Sequence, residues 1–326
     1  MSSFGSVEGK LSGNGPASRL TQWLDAVPHP HLVCEISTSH VAAAQWGRGV
    51  LDLEAHGVEE LPPGAIVPSA VEANIKNSEA VRAALRRVAS RIATRGEKIT
   101  LLVPDSVVRV FILPFETFPR RAEEAVPLLR WRLKKSVPFD VEGTVVSWMR
   151  QTGRAGNLEI LAALARQEIL REYEAVVESA GMETGVVLSS TLATLPLLEE
   201  QGSTLLARLT DTSLTTAIVV GGTICVYRTN DVSVTADEFA PQSLLDEIFP
   251  AVAYFQDTWG GGVDRVRLAG FGGRTVEFRQ AVQNELGCAV MPLASGAVGS
   301  EIPNEVVSLG HQRLEGLVGW ALNRGA

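Results

Sequence analysis

The chain has 326 residues, 45% of them hydrophobic and 20% charged, with a formal net charge of −8. That length suggests two domains or one large two-lobed domain with a sizeable core, and the acidic balance argues against general affinity for nucleic acid. Cys34, Cys225 and Cys288 are scattered in apolar runs without CxxC spacing, so neither a disulfide framework nor a zinc site is indicated, and a reducing cytoplasm suits them. Met1–Ser18 is rich in Gly and Ser, lacks the apolar stretch of a signal peptide and reads as a disordered tail. Leu20–Ala26 reads as one helical turn leading into the fold. No apolar run reaches the roughly 18–20 residues of a spanning helix.

His31–Ile36 reads as a buried strand and Val41–Trp46 as its hairpin partner. Leu61-Pro62-Pro63-Gly64-Ala65-Ile66 breaks regular structure. Ser78 is the expected N-cap of a helix over Glu79–Thr94, whose Val81, Leu85, Val88 and Ile92 share one face, with Gly96 as its stop. Ile99–Val103 and Val107–Leu113 follow as strands around Pro104-Asp105. A basic helix is expected over Arg121–Val137, kinked or begun at Pro127 and ended by Pro138-Phe139. Val145–Arg150 and Leu158–Leu164 are strands, Arg166–Ala180 is a helix closed by Gly181, and Gly185–Leu188 is a short strand before a helix near Thr191–Glu200. Leu205–Leu209, Thr215–Val220 and Thr223–Arg228 form a hairpin set around Gly221-Gly222. A helix over Gln242–Phe255, a strand over Val266–Ala269, a helix over Val276–Leu286 and a last helix over Gln312–Leu322 complete an α/β chain. Hairpins opening each half argue against a Rossmann sheet.

Several chemistries are excluded by motif: there is no GxxxxGK[ST] loop, HExxH, GxSxG or GxGxxG after a strand. His29 and His31 read as surface polar residues, not metal ligands, and the buried Trp and Phe residues read as core. What remains is a pair of strand–turn–strand segments shaped to hold phosphate. One carries the turn Glu35-Ile36-Ser37-Thr38-Ser39, the other Arg208-Leu209-Thr210-Asp211-Thr212. The two turns suggest a duplicated nucleotide cleft whose chemistry is eroded. Gly270-Phe271-Gly272-Gly273, after an apolar strand, either lets a backbone approach a flat ligand or phosphate or makes a strand-to-helix turn at positive φ.

Short motifs in a fixed order carry a resemblance. They are Leu61-Pro62-Pro63-Gly64-Ala65-Ile66 before the Glu79–Val88 helix, Val103-Pro104 before Val108-Arg109-Val110 and Leu113-Pro114, Leu129-Arg130-Trp131-Arg132 through Val137-Pro138-Phe139 to Trp148, and Ala180-Gly181-Met182 before Leu192-Ala193. Over roughly residues 30–320 the chain resembles the type IV pilus assembly protein PilM family, which has an actin-like ATPase fold. The resemblance implies a two-lobed, duplicated ribonuclease H-like α/β fold. It sets apart a tail over residues 1–27, a first lobe over 28–200 with an inserted α+β subdomain near 105–165, and a second lobe over 201–326 whose final helix packs back toward the first.

Carried over by position, the family's Asp-Ile-Gly-Ser phosphate turn corresponds to Glu35-Ile36-Ser37-Thr38 here, and a second Asp-Ile-Gly to Arg208-Leu209-Thr210. The implied degenerate nucleotide site comprises Glu35, Ser37, Thr38, Ser39, Arg208, Thr210, Asp211, Gly270, Gly272 and Gly273, the glycines lying near the adenosine. At ~4 Å and an effective dielectric of ~20, a unit-charge pair is worth roughly 4 kcal/mol, so an arginine facing Mg2+ opposes metal binding, or instead contacts phosphate directly. Weak or absent binding of ATP with Mg2+ is expected, with no catalytic residue and no resident metal. The resemblance further implies a cytoplasmic scaffold at the inner face of the membrane. Its groove would grip the N-terminal cytoplasmic peptide of a PilN-like inner-membrane protein through Arg109, Arg130, Lys134 and Phe139. The pilus motor ATPase and platform proteins are further implied partners, and membrane association is indirect, although the basic helix could also approach anionic headgroups. The alternative is an active or nucleotide-gated ATPase of the actin and sugar-kinase superfamily in which Glu35 and Asp211 restore metal binding. A paralogue serving another secretion or competence system is a third reading.

Overall fold

The computed structural model describes residues 30–49, 51–92, 98–198, 201–232, 238–293, 306, 308–309 and 313–323. The expectations for the N-terminal tail, His29, Thr94, Gly96, Glu200 and Gln312 lie outside them. The chain begins with an antiparallel meander, β1 (Leu32–Ile36), β2 (His40–Trp46) and β3 (Leu53–Glu60), followed by α1 (Ser78–Ile92) and β4 (Lys98–Val103). There it leaves the sheet. A 3-10 turn at Asp105–Val107 leads to β5 (Arg109–Phe115), α2 (Ala122–Leu133), β6 (Thr144–Thr152) and β7 (Leu158–Arg166), whose strands form a separate sheet in the order β5-β7-β6. Next, α3 (Gln167–Ser179) and β8 (Glu183–Ser189) complete the first sheet in the order β3-β2-β1-β4-β8.

A short α4 (Ser190–Thr194) and a 3-10 turn at Leu195–Leu197 lead into β9 (Ser203–Leu209), β10 (Ser213–Val220), β11 (Thr223–Asp231), α5 (Pro241–Trp259), β12 (Arg265–Ala269), α6 (Thr275–Leu286) and β13 (Ala289–Pro292). The last helix is α7 (Glu315–Asn323). The second sheet has the order β11-β10-β9-β12-β13. Its β9–β10–β11 meander is antiparallel and β9, β12 and β13 run parallel, as β1, β4 and β8 do in the first. The fold is therefore two copies of one topology with an insertion in the first: the two-lobed actin-like architecture.

Strand alternation decides which residues meet. Leu32, Cys34 and Ile36 face an outer core with α1 and α3, while Val33 faces the opposite way, toward the second lobe. In β9, Leu205, Ala207 and Leu209 pack outward with α5 and α6, and Leu206 faces inward. The two inner faces share one core with α4 and α7. Gly316 and Gly319 let α7 lie against α4: a Cβ on Gly319 would stand 2.1 Å from the Ala193 carbonyl oxygen.

Several element boundaries depart from the sequence reading. Asn77, not Ser78, caps α1, since its Oδ1 accepts the Ala80 N–H at 3.0 Å. The strand expected from Val107 starts at Arg109, because Asp105–Val107 turn as a 3-10 segment. Helix α2 starts at Ala122, holds Pro127 inside and ends at Leu133, short of Val137. The helix near Thr191 is only five residues long. Strands β3 and β13 carry weak signals, being a mostly polar edge and a four-residue edge.

Candidate functional site

Glu35 and Arg208 occupy the same place in the two repeats, one residue before the end of the first strand. Alternation turns both inward, Glu35 behind Val33 and Arg208 behind Leu206. They meet across the lobes: Arg208 Nη2 stands 3.3 Å from Glu35 Oε1, and Nη1 stands 3.6 Å from Asp105 Oδ2, all three side chains being buried. Ser190 Oγ donates to Glu35 Oε1. Asp105 accepts the Thr191 backbone N–H at 2.9 Å, the Thr191 hydroxyl, and the Thr215 hydroxyl at 3.1 Å. Glu315, opening α7, accepts the Gly270 N–H at 3.2 Å.

Burial opposes the charge on Arg208, but Glu35, Asp105 and Glu315 outweigh it and raise its pKa. The Glu315 carboxyl is pushed up by burial, against the pull of Arg208. Among the described residues, Glu35 Oε2, Arg208 Nε and Glu315 Oε2 have no hydrogen-bond partner.

Above this cluster the two turn tips face each other around a cavity of about 50 Å³, room for a few water molecules. The turns repeat one another in detail. Ser37 Oγ accepts the His40 N–H at 3.0 Å and donates to the His40 carbonyl, and Thr210 Oγ1 does the same with Ser213 at 3.0 and 3.1 Å. Each hydroxyl closes its own hairpin. The tips also touch: Thr38 Oγ1 donates to Asp211 Oδ2 at 2.8 Å, and Arg313 Nη1 lies 3.3 Å from Asp211 Oδ1. Burial works to raise the Asp211 carboxyl, yet hydrogen bonds from Ser39 and Thr38, with Arg313 and His40 nearby, hold it below its usual value. Burial lowers the His40 pKa, against Glu35 and Asp211.

Gly270 and Gly272 both have positive φ. At Gly270 a Cβ would fall 1.8 Å from the Leu209 carbonyl oxygen, so this glycine serves the approach of two backbones. Gly272 faces the Arg313 guanidinium, and a Cβ at Gly273 would meet nothing within 4 Å.

The other predicted residues belong to the inserted segment, and none of them lines this cavity. Arg109 opens β5, and Arg130 donates from α2 to the Thr144 carbonyl at 2.7 Å with Glu142 at 3.6 Å, which places both at one end of the sheet. Lys134 is exposed and Phe139 half-buried. Sequence reading passed over Asp105, Ser190, Thr191, Glu315, His40 and Arg313. Only Asp105 left a trace, a carboxylate directly after an apolar strand.

No curated protein matches the chain by sequence. Among solved structures, the PilM–PilN type IV pilus biogenesis complex aligns with a TM-score of 0.72 at 16% identity, over 92% of this chain and 100% of that one. The ethanolamine utilization protein EutJ from Carboxydothermus hydrogenoformans aligns with a TM-score of 0.51 at 10% identity, over 93% and 98%. These likenesses establish the fold. The profile of the type IV pilus assembly protein PilM family matches residues 34–218, more than half of the chain, and the chain belongs to that family.

Proposed function

We propose that this protein is a cytoplasmic scaffold of a type IV pilus inner-membrane platform, or of a related secretion platform, and that it acts by binding and not by hydrolysis. The observation that carries the reading is the Arg208 guanidinium lying between Glu35 and Asp105. Carboxylates in such a cleft would otherwise be available to a hydrated cation; here a resident cation already lies against both. The residues do not fit a magnesium–triphosphate. The Ser37 and Thr210 hydroxyls are engaged in their own turns, and the Leu209 backbone fills the space beside Gly270.

The partner in this reading is the N-terminal cytoplasmic peptide of a PilN-like membrane protein, gripped near Arg109, Arg130, Lys134 and Phe139. The support is family membership together with a basic end of the inserted sheet. No helix among the described residues is long and apolar enough to cross a membrane. Two measurements test this. Titration with ATP and Mg2+ should give no binding heat, and micromolar affinity with phosphate release would overturn the pseudo-enzyme reading. Capture of the PilN-like protein should succeed with the wild type and weaken in an Arg109→Glu, Phe139→Ala variant. Equal capture by both removes the groove.

A further inference from the structure

We propose that the outward face of α2 is a foot that rests directly on an anionic lipid surface. Trp131 is 73% exposed, the most exposed large apolar side chain among the described residues. It sits on the ridge of α2 opposite Ala125, Leu129 and Leu133, which pack on the inserted sheet. Arg132 adjoins it within the helix, Lys134 is the residue at the C-terminal cap of α2 and Lys135 follows in the turn beyond, and all three are exposed. Residues 130–135 hold four cations and no carboxylate in a chain of net charge −8. Of these only Arg130 is committed, to Thr144 and Glu142.

A lone exposed indole beside solvated cations at the C-terminal end of α2, with the exposed Glu123 and Glu124 confined to its first turn, suits a headgroup layer, where an amphipathic ring lies at the interface and the cations meet lipid phosphates. A peptide-binding anchor would sit in a concave apolar pocket instead. The charge pattern also orients the molecule. An anionic bilayer repels the acidic remainder and attracts this one face.

Each cation near such a surface strengthens binding about fivefold, so three exposed cations contribute on the order of 100-fold. The test uses the full chain and vesicles, without any partner peptide, so that its outcome is independent of the groove reading. The protein should float with vesicles of equal phosphatidylcholine and phosphatidylserine at low salt, should not float with phosphatidylcholine alone, and should be released by added salt. Trp131→Ala should weaken flotation several-fold, and Arg132→Glu with Lys135→Glu, which leaves the groove residues untouched, should largely abolish it at unchanged thermal stability. Absence of flotation on the mixed vesicles, or equal flotation of the variants, overturns the proposal. So does a result in which Trp131→Ala leaves vesicles indifferent but abolishes capture of a PilN-like peptide, which would reassign the indole to the peptide.

Discussion

Arg208 is the residue on which the cleft turns. It crosses from the second lobe to two carboxylates of the first, and its removal leaves Glu35 and Asp105 buried without their cationic partner. Arg208→Ala should therefore cost about 3–5 kcal/mol, measured by urea denaturation. Arg208→Ala combined with Glu35→Gln should recover part of that loss, because one uncompensated charge disappears. Glu315 has the opposite character. Its folded pKa is raised by burial, so its contribution is full below the ordinary carboxylate value of 4.5 and is lost as pH rises through the folded pKa. Glu315→Gln should raise the melting temperature at neutral pH and give no gain in acid. A variant that gains equally at both pH values would show that ionisation of Glu315 is not the cause. His40 has a lowered pKa and is held neutral in the fold, so protonation should destabilise the protein as pH falls below 6.5. His40→Asn should flatten that limb of the stability profile.

Single elements show how far local pattern reaches. Helix α1 was legible because one face is apolar at the helical period, and strands β1, β2, β9 and β10 because they are short, largely apolar runs bounded by turns. Helix α2 was over-extended because Lys134–Val137 continues a helical pattern that the chain abandons. Strand β6 does something no periodicity indicates. Its Gln151 side chain donates to the Ile224 carbonyl at 2.8 Å and accepts the Ile224 N–H at 3.3 Å, tying the inserted sheet to β11 of the second lobe. Gln151→Ala leaves both partners in a buried setting, so about 1–3 kcal/mol should be lost. The Ile224 amide should then exchange faster with solvent. Unchanged exchange would mean that β10 alone protects it.

At the scale of the whole molecule, the two sheets are not independent bodies. Leu206, Ala217, Val219 and Ile224 of the second share a core with Val33, Ala42, Ala44 and Leu102 of the first, joined by α4 and α7. Neither lobe can open without exposing that surface. Unfolding should be one cooperative transition by fluorescence and by circular dichroism, and two separated transitions would contradict the shared core. The cross-lobe contacts Thr38–Asp211 and Arg208–Glu35 join residues 173 positions apart and lie at the top of the same structure.

From its own residues the chain announced an α/β fold with duplicated hairpins, and its motif order pointed to the PilM family. Those features rest on short-range periodicity and spacing, which a linear sequence contains in full. Glu35 and Arg208 were recognisable as departures from a phosphate turn, but their pairing was not. The guanidinium acquires its role from Asp105, Thr191 and Glu315, each brought in by a different element. Whether a buried charge is a ligand, a catalyst or a strut depends on which opposite charge lies within a few ångströms, and that neighbour is chosen by the packing of the two lobes, not by adjacency along the chain.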